Sequence, residues 1–192
     1  FSLASAKTYP GWGYMVEQGA TTIWESWGRD WAPDRDGSHK AHRADSMMMW
    51  GGIDKFFYHY IAGIGEPAYH GQETTIPGFS EIVIRPHVVG DLTSASARIM
   101  TVKGGVASSW RSTKTSLTLD VEIPVNSRAR VAIPKLGFSN PVVFMEDTEI
   151  FARGSLNNGA VGAIGIIEGI ESPYFVEFYV GSGSYSFVLV EG

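Results

Sequence analysis

Between Gly19 and Trp27 the chain reads Gly-Ala-Thr-Thr-Ile-Trp-Glu-Ser-Trp, which places the carboxylate of Glu25 between the indoles of Trp24 and Trp27. Aromatic rings are natural platforms for the apolar faces of sugar rings. A carboxylate among them can take a proton from water or hold hydroxyl groups, which is the chemistry of glycoside cleavage. The same residues admit a structural role. Thr22-x-x-Glu25 has the spacing of a capping box, in which Glu25 reaches back to the Thr22 backbone N–H at a helix start. Residue types alone leave both roles open.

Other polar residues are weaker candidates. Asp30, Asp34 and Asp36 offer hard oxygen ligands on one stretch, but the distal Glu of a calcium loop is missing, so a solvated loop is expected. His39 and His42 stand three apart without the further His, Cys or Glu that a metal site needs. Met47-Met48-Met49 reads as core filling. Gly51-Gly52, set in a helical pattern, costs about 1 kcal/mol per glycine relative to alanine, so close helix packing is expected to compensate there. No Gly-x-Ser-x-Gly elbow and no glycine-rich phosphate loop occurs. With no cysteine in the chain, disulfides, thiolate metal sites and cysteine nucleophiles are excluded. No cofactor and no metal is implied.

The elements that must position these residues fall into two regions. Five tryptophans (Trp12, Trp24, Trp27, Trp31 and Trp50) lie in the first fifty residues, and only Trp110 follows. Trp50, Ile53, Phe57, Tyr60, Ile61 and Ile64 recur at steps of three and four, which predicts one helix with a buried stripe, N-capped at Asp45-Ser46 and ended by Gly63, Gly65 and Pro67. A shorter helix is predicted over Trp12 to Gln18, stopped by Gly19. Two or three helices cannot enclose so much aromatic surface, so partner helices from a larger helical domain are expected.

From about residue 78 the period becomes two. Ile82/Ile84, Leu117/Leu119/Val121, Val131/Ile133, Val176/Phe178/Val180 and Tyr185/Phe187/Leu189 recur at every second position. Turn-rich stretches such as Gly90-Asp91, Lys103-Gly104-Gly105 and Asn157-Asn158-Gly159 separate them. That pattern predicts antiparallel sheet folded as a β-sandwich or jelly roll. The boundary is expected in the linker from Gly71 to Gly78, giving domains 1–75 and 76–192.

Composition narrows the function. The chain has 192 residues, 44% hydrophobic and 18% charged, the latter below the roughly 25% of average soluble chains, which argues against disorder. Fifteen basic and twenty acidic side chains give 15 − 20 = −5 with no basic cluster, so nucleic acid is not an expected partner. No apolar run approaches the roughly 20 residues of a spanning helix, and residues 1–7 lack the pattern of a signal peptide. A chain starting at Phe1 without an initiator Met is expected to be a processed or truncated piece of something longer.

The segment Tyr9-Pro10-Gly11-Trp12-Gly13-Tyr14-Met15-Val16-Glu17-Gln18-Gly19-Ala20-Thr21-Thr22-Ile23-Trp24-Glu25 resembles the late part of the catalytic domain of bacterial α-L-rhamnosidases of glycoside hydrolase family 78. Three further stretches resemble that family in the same order: 56–64, 77–87 with Gly90-Asp91-Leu92, and the closing strand Val180-Gly181-Ser182-Gly183-Ser184-Tyr185-Ser186-Phe187. The resemblance implies an α+β multidomain architecture, with the last helices of an (α/α)6 barrel followed by an antiparallel, jelly-roll-like β-sandwich. It implies an inverting glycoside hydrolase that removes terminal rhamnose from glycosides or polysaccharides. Glu25 takes the place of the family's general base, and Trp12, Trp24, Trp27 and His42 are the implied sugar-binding residues. The general acid is implied on an upstream portion of the same polypeptide, so this chain alone is expected to be incomplete for catalysis. Where the family commonly carries Ser-hydrophobic-Asn-His-aromatic, this chain has Ser46-Met47-Met48-Met49-Trp50, with Met49 in place of a sugar-contacting histidine. A non-catalytic carbohydrate-binding fragment and a barrel glycosidase of different sugar specificity are the competing expectations.

Overall fold

The computed structural model describes residues 1–25, 27, 46–67, 78–157 and 166–192. The chain divides into two compact units, Phe1–Phe56 and Phe57–Gly192. The expected boundary between residues 75 and 76 lies outside the described residues.

In the first unit, α1 (Ser2–Ser5) and α2 (Trp12–Glu17) precede a 3-10 turn at Met48–Trp50 and α3 (Gly52–Phe56). The predicted helix at Trp12 is present, and Gly19 ends it at φ +79°, a left-handed value that favours glycine. The long helices expected for this region are absent from its described residues, where the three α-helices have 4, 6 and 5 residues. Pro10, Gly11, Gly19, Gly51 and Gly52 interrupt the helical pattern too often for longer ones. Gly51-Gly52 forms a junction between the 3-10 turn and α3; a Cβ on Gly51 would lie 3.0 Å from the Met48 carbonyl oxygen, and one on Gly52 would meet nothing within 4 Å among the described residues. Ser46 is not the residue that precedes the turn; Met47 is, and it makes no side-chain cap. Met48 and Met49 are 89% and 76% exposed rather than core.

The second unit opens with a turn of π-helix, Phe57–Ile61. Ala62 N–H donates to the Phe57 carbonyl at 2.9 Å, five residues back. This wider turn breaks the three-and-four spacing, so the predicted single stripe does not form. Ile61 and Ile64 are buried, whereas Phe57 and Tyr60 are exposed. Gly63, at φ +84°, allows a close backbone approach: a Cβ there would lie 2.2 Å from the Pro86 nitrogen.

The strands are β1 (Ile64–Gly65), β2 (Glu81–Ile84), β3 (Ser94–Thr101), β4 (Gly104–Ser112), β5 (Ser116–Ile123), β6 (Arg128–Pro134), β7 (Pro141–Met145), β8 (Thr148–Ala152), β9 (Ser155–Leu156), β10 (Ile166–Glu171), β11 (Phe175–Val180) and β12 (Gly183–Glu191). They form a five-stranded sheet in the order β1-β2-β6-β11-β10 and a seven-stranded sheet in the order β3-β4-β5-β12-β7-β8-β9. The predicted alternation holds on β5 and β12, where Leu117, Leu119, Val121 and Ile123 face the same core as Tyr185, Phe187 and Leu189. Phe178 of β11 stacks on Phe187 of β12 at 5.4 Å and meets Phe151 of β8 edge-on at 6.2 Å, which places the core between the sheets. One pairing departs from the antiparallel expectation: β2 and β6 run parallel, with Ile82 opposite Ala129 and Ile84 opposite Val131. Both strands carry unbroken buried runs, Ile82 to Ile84 and Val131 to Ile133, as strands covered on both faces do.

Candidate active site

Glu25 sits on backbone that is neither helix nor strand. Ile23, Trp24 and Glu25 are not helical, so no helix opens at these residues from Thr22. Two hydrogen bonds instead tie this segment to residues 47–50. Met47 N–H donates to the Ile23 carbonyl at 2.8 Å, and the Trp50 indole N–H donates to the Glu25 carbonyl at 3.0 Å. Trp24 is buried, while Glu25 and Trp27 are partly so.

The tryptophans cluster. Trp12, at the start of α2, meets Trp27 edge-on with ring centroids 4.6 Å apart, and Trp50 lies 5.4 Å from Trp27 and 6.3 Å from Trp12. Three of the residues singled out in the sequence, Trp12, Trp27 and Glu25, therefore gather around Trp50. Trp24 is buried next to Glu25 in the chain. The Trp12 indole nitrogen is buried without a hydrogen-bond partner among the described residues. An apolar pocket of about 370 Å³ adjoins the cluster, lined by Leu3, Trp12, Met49, Trp50, Ile53 and Phe56 among others. Glu25 does not line it. His42 lies outside the described residues, as do Asp30, Asp34, Asp36 and His39.

Trp50 is the residue that the sequence pattern misplaced. Its spacing assigns it to a helical core stripe, yet its ring and N–H serve the segment that carries Glu25. The density of tryptophan in residues 12–50 was the available signal.

The second unit holds a separate charged and aromatic group. The Arg85 guanidinium lies 4.3 Å from the Phe175 ring centroid, and Glu177 stands within 3.9 Å of Arg85 and 3.8 Å of Arg130. His87 packs against Tyr60 and Phe175. Burial, and then the neighbouring Arg85 charge, hold its pKa below the ordinary value of 6.5. Among the described residues no group of three or more His, Asp or Glu could hold a metal ion, and no helix is long and apolar enough to cross a membrane.

Comparison with known proteins gives these residues a context. Residues 1–61 match the family described as bacterial alpha-L-rhamnosidase 6 hairpin glycosidase domain, and residues 71–140 match the bacterial alpha-L-rhamnosidase C-terminal domain. An alpha-L-rhamnosidase from Formosa agariphila is 34% identical over 161 residues, covering 80% of this chain and 15% of that protein. One from Streptomyces avermitilis is 30% identical over 136 residues, covering 70% of this chain and 12% of that protein. Among solved structures, an alpha-L-rhamnosidase from Dictyoglumus thermophilum superposes with a TM-score of 0.76 at 34% identity, over 97% of this chain and 18% of that one. The Streptomyces avermitilis enzyme, solved with L-rhamnose, gives 0.69 at 26% identity over 97% and 15%. The chain thus spans less than a fifth of the length of these relatives. Two family matches in consecutive order, with relatives of one name in sequence and in structure, show that this chain belongs to the bacterial α-L-rhamnosidase family.

Proposed function

We propose that the chain is the C-terminal part of an inverting α-L-rhamnosidase that removes terminal rhamnose from glycosides or polysaccharides, and that Glu25 is its general base. The observation that carries the reading is the match of residues 1–61, which include Glu25, to the glycosidase domain of the family. In this reading residues 1–75 belong to the C-terminal end of the catalytic domain, and residues 76–192 are the β-sandwich that follows. The exposure of Leu3, Val16, Met48 and Met49 fits a unit whose apolar surface is completed by further barrel helices.

The chemistry follows from the geometry of inversion. One carboxylic acid protonates the leaving oxygen while a carboxylate about 6.5–9.5 Å away draws a proton from water on the opposite face of the sugar ring. Glu25 supplies the carboxylate, and Trp27 beside it, partly exposed, offers an apolar face to the sugar. The acid comes from an upstream portion of the same polypeptide. Met49, exposed where the family commonly has a histidine, offers a thioether in place of a hydrogen-bonding ring, so the subsite it borders makes one polar contact fewer.

The test is Glu25→Gln in the whole enzyme, which keeps the shape of the side chain and removes the base. Turnover of an aryl rhamnoside should fall by at least about 10², general-base contributions being about 10²–10⁴, while KM changes little. Near-normal turnover would remove Glu25 from the mechanism.

A further inference from the structure

We infer that Trp50 is a positioning residue for Glu25: its indole N–H fixes the peptide carbonyl of the base, and its ring is itself fixed by Trp12 and Trp27. The inference rests on the reading of Glu25 as the general base and adds to it the group that sets where the base stands.

Residues 20–25 take part in no helix and no strand, so no backbone ladder determines the direction in which the Glu25 side chain leaves the chain. A general base must nevertheless be held to within a fraction of an ångström, because a misplacement of about 1 Å costs about 10²-fold in rate. The precision has to come from tertiary ties. Among such ties, two run to the same short segment: Met47 N–H to the Ile23 carbonyl at 2.8 Å, and Trp50 Nε1–H to the Glu25 carbonyl at 3.0 Å. The second acts on the residue that bears the carboxylate. The carbonyl carbon is bonded to the Glu25 Cα, so fixing that peptide plane restricts ψ at Glu25 and with it the origin of the side chain.

A donor positions its acceptor only if it is held in turn. The Trp50 ring is packed against Trp27 at 5.4 Å, tilted by 44°, and against Trp12 at 6.3 Å, edge-on at 82°. Trp27 lies two residues beyond Glu25 and is also clamped edge-on by Trp12 at 4.6 Å. Trp24, on the other side, is buried. The base is therefore bracketed by two anchored indoles in its own segment and hydrogen-bonded at its own carbonyl by a third indole from residues 48–50. Of these contacts the Trp50 hydrogen bond alone is a directional tie to Glu25 itself, which makes it separable by chemistry that leaves the ring in place.

The experiment uses the whole enzyme with Trp50→3-benzothienylalanine, which replaces the indole N–H by sulfur and keeps the bicyclic ring, alongside Trp50→Phe. Each is made in the native background and in Glu25→Gln, and kcat and KM for an aryl rhamnoside are measured together with the thermal midpoint. Expected is a fall in kcat of about tenfold in the native background with KM within about twofold, and no further fall in the Glu25→Gln background, where no base remains to be positioned. Equal falls in both backgrounds would show that Trp50 acts only through the fold, and an unchanged native kcat would show that its N–H positions nothing; either result overturns the inference and leaves the assignment of Glu25 standing. If Glu25→Gln itself retains normal turnover, the assignment of the base fails first and the inference fails with it.

Discussion

The two units use opposite means to fix their side chains. In the sandwich, position follows from ladders: Leu119 faces the core because β5 pairs with β4 on one side and β12 on the other, with Trp110 and Phe187 directly opposite it. In the first unit, Glu25 has no ladder, and its segment is tied to residues 47–50 by hydrogen bonds and by packed indoles. Regular structure gives stability at many redundant points; an irregular segment gives placement at few points, each of which matters. That division suits the role proposed for Glu25, because loop segments carried on a rigid scaffold are where binding and catalytic side chains concentrate.

The comparison is broken most severely by testing the two units apart from further chain. If Glu25 is the general base and the general acid lies on an upstream portion of the polypeptide, as proposed, residues 1–192 purified alone should show no rhamnosidase turnover, because the two groups must flank the same bond. Hydrolysis of an aryl rhamnoside by the purified chain, with no longer polypeptide present, would contradict that.

A smaller effect sharpens the same contrast inside the sandwich. Trp110 Nε1–H donates to the Ile61 carbonyl and Ser108 Oγ–H to the Ala62 carbonyl, both at 2.7 Å and both buried. A polypeptide of residues 57–192 keeps these bonds and strand β1, whereas residues 76–192 leave both donors without acceptors. At about 0.5–1.5 kcal/mol net for each hydrogen bond lost, the shorter piece should be less stable by at least about 1–3 kcal/mol in urea. Equal stability of the two would show that residues 57–75 are dispensable to the sandwich.

The smallest expected effect is a pH dependence carried by His87. Burial and Arg85 lower its folded pKa, so the unfolded chain binds the proton first as pH falls. The contribution of neutral His87 is complete above 6.5 and is lost as pH drops through 6.5 toward the folded value. The stability of residues 57–192 should therefore decline between pH 7.5 and 5, and His87→Phe should flatten part of that slope. An identical slope in the variant would assign the decline to other groups.

Much of the sandwich was legible in the sequence, because strands with one buried face write their burial as alternation. Leu117, Leu119 and Val121 on β5, and Tyr185, Phe187 and Leu189 on β12, are buried as their spacing predicts. The parallel pairing of β2 with β6 was not, since Ile82-Val83-Ile84 is buried throughout and a continuous run carries no direction. The stripe from Trp50 to Ile64 misled for a different reason. Its spacing is helical, but Gly51-Gly52, the π-turn at Phe57–Ile61 and the left-handed Gly63 divide it into pieces that no longer share a face. At the site, residue types marked Glu25 and its flanking indoles, and resemblance to a family gave Glu25 its role. The tie from Trp50 could not be read from spacing, because a hydrogen bond to a carbonyl 25 residues away leaves no periodic trace.

The role of Glu25 is tested most directly by supplying a substitute nucleophile. In Glu25→Gln of the whole enzyme the water is no longer activated, but azide needs no base and can attack the anomeric carbon from the face that water would have used. Added azide should restore turnover of an activated rhamnoside and yield a rhamnosyl azide of inverted configuration, identified by NMR. Release of free rhamnose at a near-normal rate in the variant, or an azide product of retained configuration, would contradict the assignment of Glu25 as the base of an inverting reaction.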